Sequence, residues 1–318
     1  MFLHSHYDKN SKKDFFCAIR VFFSIIEAKE EAMKKVKRII SDILLIIFLG
    51  LAIYFFYQGY KQWKGYEDAN KTYQKITEEV ARNSKDGNGK WLKLNWKKLQ
   101  KMNPDIIGWI YMDSGANYPI LKGKTNKTYL HTDPYGHYSF NGCIFMNAGN
   151  NWNKEAPLGK NFVDKNTIIY GHNMNNGSMF GNNDKYKDDA YANKHKNFWI
   201  FTPKGRYWFK IYQTHVVYDE TTIFKTDFKD ENEFSGWLGK LGQNPFSKIG
   251  KQANKHDKVV SLSTCTQHGQ KRFVIQGYQK EFETYDHKKK LTREQLNGTS
   301  DKIGTTDMEE SENLIRVD

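Results

Sequence analysis

Lys258-Val259-Val260-Ser261-Leu262-Ser263-Thr264-Cys265 and, after a gap of six residues, Arg272-Phe273-Val274-Ile275-Gln276 read as two strands of one hairpin. The first is a continuous β-branched and aliphatic run that turns polar at its end, so Cys265 should emerge at a rim, with Arg272 near it across the hairpin. Upstream, short β-branched and aromatic runs recur between turn clusters, at Ile106–Met112, Tyr118–Leu121, Cys143–Met146, Thr167–Tyr170, Phe198–Thr202 and Tyr207–Tyr218. With Lys258–Ser263 and Arg272–Gln279 they make eight candidate strands, which suggests a closed antiparallel barrel or a sandwich. Between the sixth and seventh lies a long insert, Asp219 to Asp257. Phe234, Trp237, Leu238 and Leu241 stand there at helical spacing, so a helix is expected in it.

Composition narrows the class. Hydrophobic residues make up 38 % of the 318-residue chain, but 15 % are aromatic, enough for a packed core. Cys17, Cys143 and Cys265 are widely spaced, which excludes a disulfide scaffold and any Cys/His zinc pattern. The net charge is +13, yet the lysines are scattered among acidic residues and no nucleic-acid-binding signature accompanies them, so no nucleic-acid partner is expected. A basic surface equally suits an anionic cell envelope.

One long apolar run exists, Ile39 to Tyr57, and a polytopic membrane protein is therefore excluded. Nineteen helical residues span roughly 28 Å, close to the thickness of a bilayer's hydrocarbon core. Lys34, Lys35, Lys37 and Arg38 precede the run, whereas Lys61 and Lys64 follow it diluted by Glu67 and Asp68. The positive-inside rule then puts the N-terminus in the cytoplasm and the rest outside, with a single pass through the cell membrane. A cleaved signal peptide fits less well, because the run exceeds a usual h-region and no small-x-small site follows closely. The expected organisation is a cytoplasmic segment 1–38, an anchor 39–57, a helical stalk 58–103, a barrel 104–282 and a disordered tail 283–318. Asp86-Gly87-Asn88-Gly89 would break the stalk into two helical pieces, with Trp91, Leu92, Leu94, Trp96 and Leu99 on the second. Met33, which opens Met-Lys-Lys-Val-Lys-Arg ahead of the anchor, is the expected translation start.

Chemistry centres on Cys265. Nearby Arg272 favours its thiolate and can hold a carbonyl oxygen or oxyanion. A cysteine nucleophile needs a proton partner. His172 has the best context, in Asn166-Thr167-Ile168-Ile169-Tyr170-Gly171-His172-Asn173, directly after a buried strand. His268, within the Cys–Arg loop, remains open on spacing. No P-loop, GxSxG elbow, or magnesium or calcium loop is present, and no metal or cofactor is expected.

Taken together, these segments resemble the class B sortases, membrane-anchored cysteine transpeptidases of Gram-positive bacteria. The resemblance runs from about Leu99 to Tyr278. It is carried by Asn103-Pro104-Asp105-Ile106-Ile107-Gly108-Trp109-Ile110, Asn117-Tyr118-Pro119-Ile120-Leu121, Gly142-Cys143-Ile144-Phe145-Met146, the His172 block with Met179-Phe180, Leu262-Ser263-Thr264-Cys265 and Arg272-Phe273-Val274. It implies an eight-stranded sortase barrel preceded by N-terminal helices, with an extra helix in the insert, and His172, Cys265 and Arg272 as the catalytic set. By matched position it implies Asn117, Leu121 and Ser263 as substrate-groove residues, and by a looser match Ile223 and Phe224. Cys143 departs from the family pattern and would be an inert second thiol. The implied partners are secreted proteins with a C-terminal sorting signal of the Asn-Pro-x-Thr type and an amine on a peptidoglycan precursor. A pilin-polymerising sortase and a non-catalytic envelope-binding barrel are the alternatives.

Overall fold

A computed structural model describes residues 9–84, 91–218, 220–265 and 271–298, and divides the chain into two units, 1–64 and 65–318. The described part of the first unit is helical and belongs to α1 (Lys9–Val80). Its apolar run is exposed along its whole length, from Ile39 to Tyr57, and α1 is long and apolar enough to cross a membrane.

In the second unit, the end of α1 buries Ala69, Tyr73, Ile76 and Val80, a 4-3-4 spacing that forms one apolar stripe. β1 (Ala81–Ser84) and β2 (Trp91–Leu94) follow as an antiparallel pair, then α2 (Trp96–Met102). The second stalk helix therefore starts later than its apolar residues suggest. Trp91 and Leu92 belong to a strand because pairing with Ala81–Ser84 satisfies their backbone, while the Trp91 ring packs on Phe201 and Tyr285 under the Arg206 guanidinium.

The barrel follows: β3 (Ile106–Met112), β4 (Asn117–Leu121), β5 (Ile144–Met146), β6 (Asn166–Tyr170), a 3-10 turn at Gly181–Lys187, α3 (Asp189–Lys194), β7 (Asn197–Thr202) and β8 (Gly205–Val217). The insert carries α4 (Glu220–Ile223), α5 (Glu231–Leu241) and β9 (Ser247–Lys248); β10 (Val259–Cys265), β11 (Arg272–Glu283), β12 (Lys290–Thr292) and α6 (Arg293–Asn297) complete the chain. Eight strands close in the order β11-β10-β6-β5-β4-β3-β7-β8, with β8 pairing back onto β11. The barrel is mixed rather than antiparallel, since β4 and β5 run parallel, as do β6 and β10. Parallel neighbours need long crossovers, and here the one joining β6 to β10 takes in β7, β8 and the insert.

The expected helix of the insert is α5. Asp230 caps it, accepting from the Asn232 and Glu233 amides, and Phe234, Trp237 and Leu241 bury against Val259, Val274 and Tyr278 of the barrel wall.

Disorder does not begin at Glu283. Glu281–Glu283 pairs with Lys290–Thr292, and α6 starts with a Thr292/Gln295 capping box and ends at Gly298 with φ +71°. Leu296 is buried, and Arg293 is clasped by the fully buried Asp257 through Nε at 2.6 Å and a second bond from Nη2. A polar composition hid this because few residues supply the anchors. Residues 299–318 lie outside the described part, so the expectation of disorder rests there on sequence alone.

Candidate active site

Register brings the predicted residues to one rim. β6 and β10 are parallel, with Tyr170 beside Ser263, and the Gly171 amide extends the ladder by donating to the Ser263 carbonyl at 3.1 Å. His172 lies two residues past Tyr170 and Cys265 two past Ser263, so they occupy equivalent positions at the ends of adjacent strands. Arg272 is directly opposite Cys265 across the antiparallel β10/β11 pair. Cys265 is described by its backbone alone, and His268 lies outside the described residues.

Gly171 is required by packing. A Cβ there would stand 2.5 Å from Ile144 Cδ1 and 2.6 Å from Phe180 Cδ2, so only glycine lets the chain run close under these side chains into His172.

The His172 ring is held on two sides. Its Nε2 is 2.7 Å from the Leu130 carbonyl oxygen, and its face stacks on His131 at a centroid separation of 5.3 Å and 20°. A carbonyl only accepts, so Nε2 carries the proton. Burial lowers the His172 pKa from the ordinary histidine value, with His131 and Arg272 acting in the same direction and the Leu130 bond opposing. The resting ring at neutral pH is therefore uncharged, with Nδ1 free of a proton and able to accept one.

A cavity of about 250 Å3 opens here, lined by Asn126, Lys127, Leu130, Phe145, Tyr170, Gly171, His172, Ser263 and Arg272. Ser263 is nearly fully buried, and its Oγ has no hydrogen-bond partner among the described residues. Such an atom costs stability unless something else in the cleft meets it. Phe224 stacks on Tyr170 at 6.0 Å and 28°, so it backs the wall without lining it. Leu121 is fully buried in β4 beside Phe145, and Ile223 is fully buried in the apolar cluster under α5. Asn117 is placed elsewhere. Its Oδ1 accepts from Trp109 Nε1 at 2.7 Å, and it lines a separate cavity of about 560 Å3 with Tyr118 and residues 176–178.

Sequence reasoning missed Tyr170, Leu130 and His131. Tyr170 was findable, since strand alternation puts it on the same side as His172 two residues later. Leu130 and His131 come from an irregular segment with no periodicity to mark them.

Cys143 is a different kind of thiol. It is fully buried, donates to the Thr132 carbonyl at 3.0 Å, and burial pushes its pKa up to about 12, so it stays protonated.

The sequence matches the Sortase domain family over residues 113–280. It is 33 % identical over 257 residues to sortase B of Listeria monocytogenes, covering 76 % of this chain and 98 % of that protein. The chain belongs to the sortase family. It is also 29 % identical over 171 residues to sortase B of Staphylococcus aureus, covering 54 % of this chain and 67 % of that one. Among solved structures, a sortase B of Bacillus anthracis in complex with AAEK1 superposes with a TM-score of 0.57 at 28 % identity, covering 68 % of this chain and 98 % of the other. A sortase B–substrate complex of Staphylococcus aureus gives 0.52 at 28 % identity, covering 57 % and 83 %. The relatives are class B, and so is this sortase.

One titration in the sortase wall gives a test. His215 of β8 pairs with Val274, which in turn pairs with Ser263. Burial pushes the His215 ring down to about 4, and a bond with Gln276 only partly opposes this. An unfolded histidine binds its proton near pH 6.5, so below that the unfolded state holds more protons and stability falls with pH. The contribution is complete above about pH 6.5 and is lost on descending to about 4, up to about 3 kcal/mol. His215→Phe should flatten that part of the curve, read as urea midpoints at intervals between pH 7 and 4; an unchanged slope contradicts the assignment.

Proposed function

We propose that this sortase is a membrane-anchored transpeptidase that cleaves a C-terminal sorting motif of the Asn-Pro-x-Thr type in secreted proteins and joins them to a peptidoglycan amine. What carries the reading is the shared rim, where His172 follows the end of β6, Cys265 ends the adjacent parallel β10, and Arg272 faces Cys265 across a hairpin.

In the first half-reaction Cys265 loses its thiol proton to Nδ1 of His172, and the sulfur attacks the threonine carbonyl carbon. Arg272 holds the oxygen as charge develops on it. The C–N bond then breaks, and the imidazolium returns its proton to the leaving amine, leaving a thioacyl enzyme. The Leu130 carbonyl keeps the ring oriented and steadies its charged form through the bond to Nε2. In the second half-reaction the acceptor amine attacks the thioester, gives a proton through His172 to the departing sulfur, and leaves as an amide. The donor peptide lies against Tyr170 and Ser263, with Phe224 behind Tyr170; Leu121 and Ile223 are buried away from the lining, and Asn117 borders a separate cavity. A sortase B solved in complex with triglycine supports an amine acceptor of this kind.

On this reading the N-terminus is cytoplasmic, residues 39–57 form the anchor and the barrel is extracellular. The test uses the full chain in detergent with a panel of fluorogenic sorting peptides. Cleavage of an Asn-Pro-x-Thr-type peptide, with amide product on adding triglycine or a diaminopimelate-type amine, is expected. Product only with a pilin lysine peptide would make it a polymerising sortase, and failure to cleave any peptide would leave an envelope-binding barrel.

A further inference from the structure

A ladder of buried polar side chains crosses the barrel wall below the cavity. Gln276 Oε1 accepts from Gln213 Nε2 at 2.8 Å and from the Tyr212 hydroxyl at 3.2 Å. Gln276 Nε2 donates to Ser261 Oγ at 2.9 Å, and Ser261 Oγ donates to Asn166 Oδ1 at 2.8 Å. Asn166 Nδ2 then donates to two carbonyls of the insert, Ile223 at 3.1 Å and Lys225 at 2.8 Å. All five side chains are essentially inaccessible to solvent. Every donor points the same way, from β8 through β11 and β10 to β6 and out to the insert, so each bond polarises the next.

The end of the ladder is informative. Ile223 and Lys225 flank Phe224, whose ring lies on Tyr170, and Tyr170 lines the cavity of His172. Asn166 itself begins the strand that ends two residues before His172, and Ser261 sits in the strand that ends at Cys265. The elements carrying the reactive groups and the segment backing the cleft wall thus share one buried amide. Apolar side chains would fill this layer without the desolvation that an amide must recover through its bonds, but they would not fix the height of residues 223–225 over the sheet.

We propose that Asn166 is a positioning residue for the donor peptide: by gripping the carbonyls on either side of Phe224 it sets the Phe224–Tyr170 wall of the cleft. Its kinetic consequence rests on the transpeptidase reading; its structural consequence does not.

The experiment compares Asn166→Asp with Ser261→Ala in the full chain in detergent. The first keeps an acceptor for Ser261 but turns oxygen toward the two carbonyls; the second leaves the Asn166 grip on the insert intact. Amide exchange of residues 222–228 should accelerate roughly fivefold or more in Asn166→Asp, and stay within about twofold of the parent in Ser261→Ala even where both lower Tm. With a cleaved sorting peptide, the donor KM should rise about tenfold in Asn166→Asp, with kcat, the acceptor KM and the pH profile little changed. Unchanged exchange in Asn166→Asp, equal changes in both variants, or a fall in kcat at constant KM would each overturn the proposal. Should Asn166→Asp fail to fold, Asn166→Ser, too short to bridge both carbonyls, is read in the same way. If the parent cleaves no peptide, the transpeptidase reading fails while the exchange data still decide whether Asn166 pins the segment.

Discussion

Cys265→Ala should abolish cleavage of any sorting peptide that the parent accepts, a loss of about 10³-fold or more. The size follows from the chemistry. In the proposed mechanism both bond exchanges pass through the sulfur, and among the described residues no other thiol lines the cavity. His172→Ala should fall nearly as far, because in that mechanism the thiol proton and the leaving amine both depend on the Nδ1 that Leu130 leaves open. Effects within such a set are not additive, so the double variant should be little worse than either single one. The other thiol gives the contrast. Cys143 is buried, hydrogen-bonded to Thr132 and held protonated, so Cys143→Ala should keep turnover and lose some stability. His268→Ala is the second contrast, since that residue was the competing acid on spacing. Initial rates with a fluorogenic peptide, and the mass of the acyl enzyme under substrate, make the measurement. Residual turnover in Cys265→Ala, or equal loss in His268→Ala, would remove the assignment.

Asp257→Ala should cost about 3–5 kcal/mol and lower Tm by on the order of 10 °C. Asp257 is fully buried and accepts two bonds from Arg293 and one from Asn297 Nδ2 at 2.9 Å, while the guanidinium lies 3.9 Å over the Tyr278 ring. Removing the carboxylate strands a guanidinium whose residue is itself 8 % exposed. Its position amplifies the loss, because the pair ties α6 to the end of the insert just before β10. The double variant Asp257→Leu/Arg293→Met should recover most of the deficit, since the penalty belongs to the orphaned charge more than to the absent pair. Thermal melts of the parent and both variants in the same detergent decide it. An Asp257→Ala melt within a few degrees of the parent would show the clasp to be inconsequential.

The eight barrel strands were legible because each is a short β-branched or aromatic run between turns, and α5 because Phe234, Trp237 and Leu241 repeat at helical spacing. The β1/β2 pair was not, since Trp91 and Leu92 sit in a stretch whose apolar spacing fits a helix as well, and only pairing with Ala81–Ser84 separates the two. The last turns of structure hid behind a polar composition, although Thr292, Gln295 and Gly298 carried the capping signal. At the cavity, the reactive residue types stood out and the family resemblance named Ser263, which lines it, but Tyr170, Leu130 and His131 were not marked. Asn117 went to another cavity because Trp109 takes its side chain, and Leu130 acts through a carbonyl, which no residue identity encodes.

By itself the sequence determined the apolar run of residues 39–57, the number and order of the barrel strands, and a Cys–Arg hairpin, all properties of local pattern and spacing. Only the tertiary structure decided that β6 runs parallel to β10, which brings the ends of the two strands, 93 residues apart at Tyr170 and Ser263, to one rim. It also decided which nitrogen of His172 is open and which buried amide holds the cleft wall. The reason is that strand partners, backbone acceptors and burial depend on contacts between distant segments, and those acquire values only once the barrel has closed.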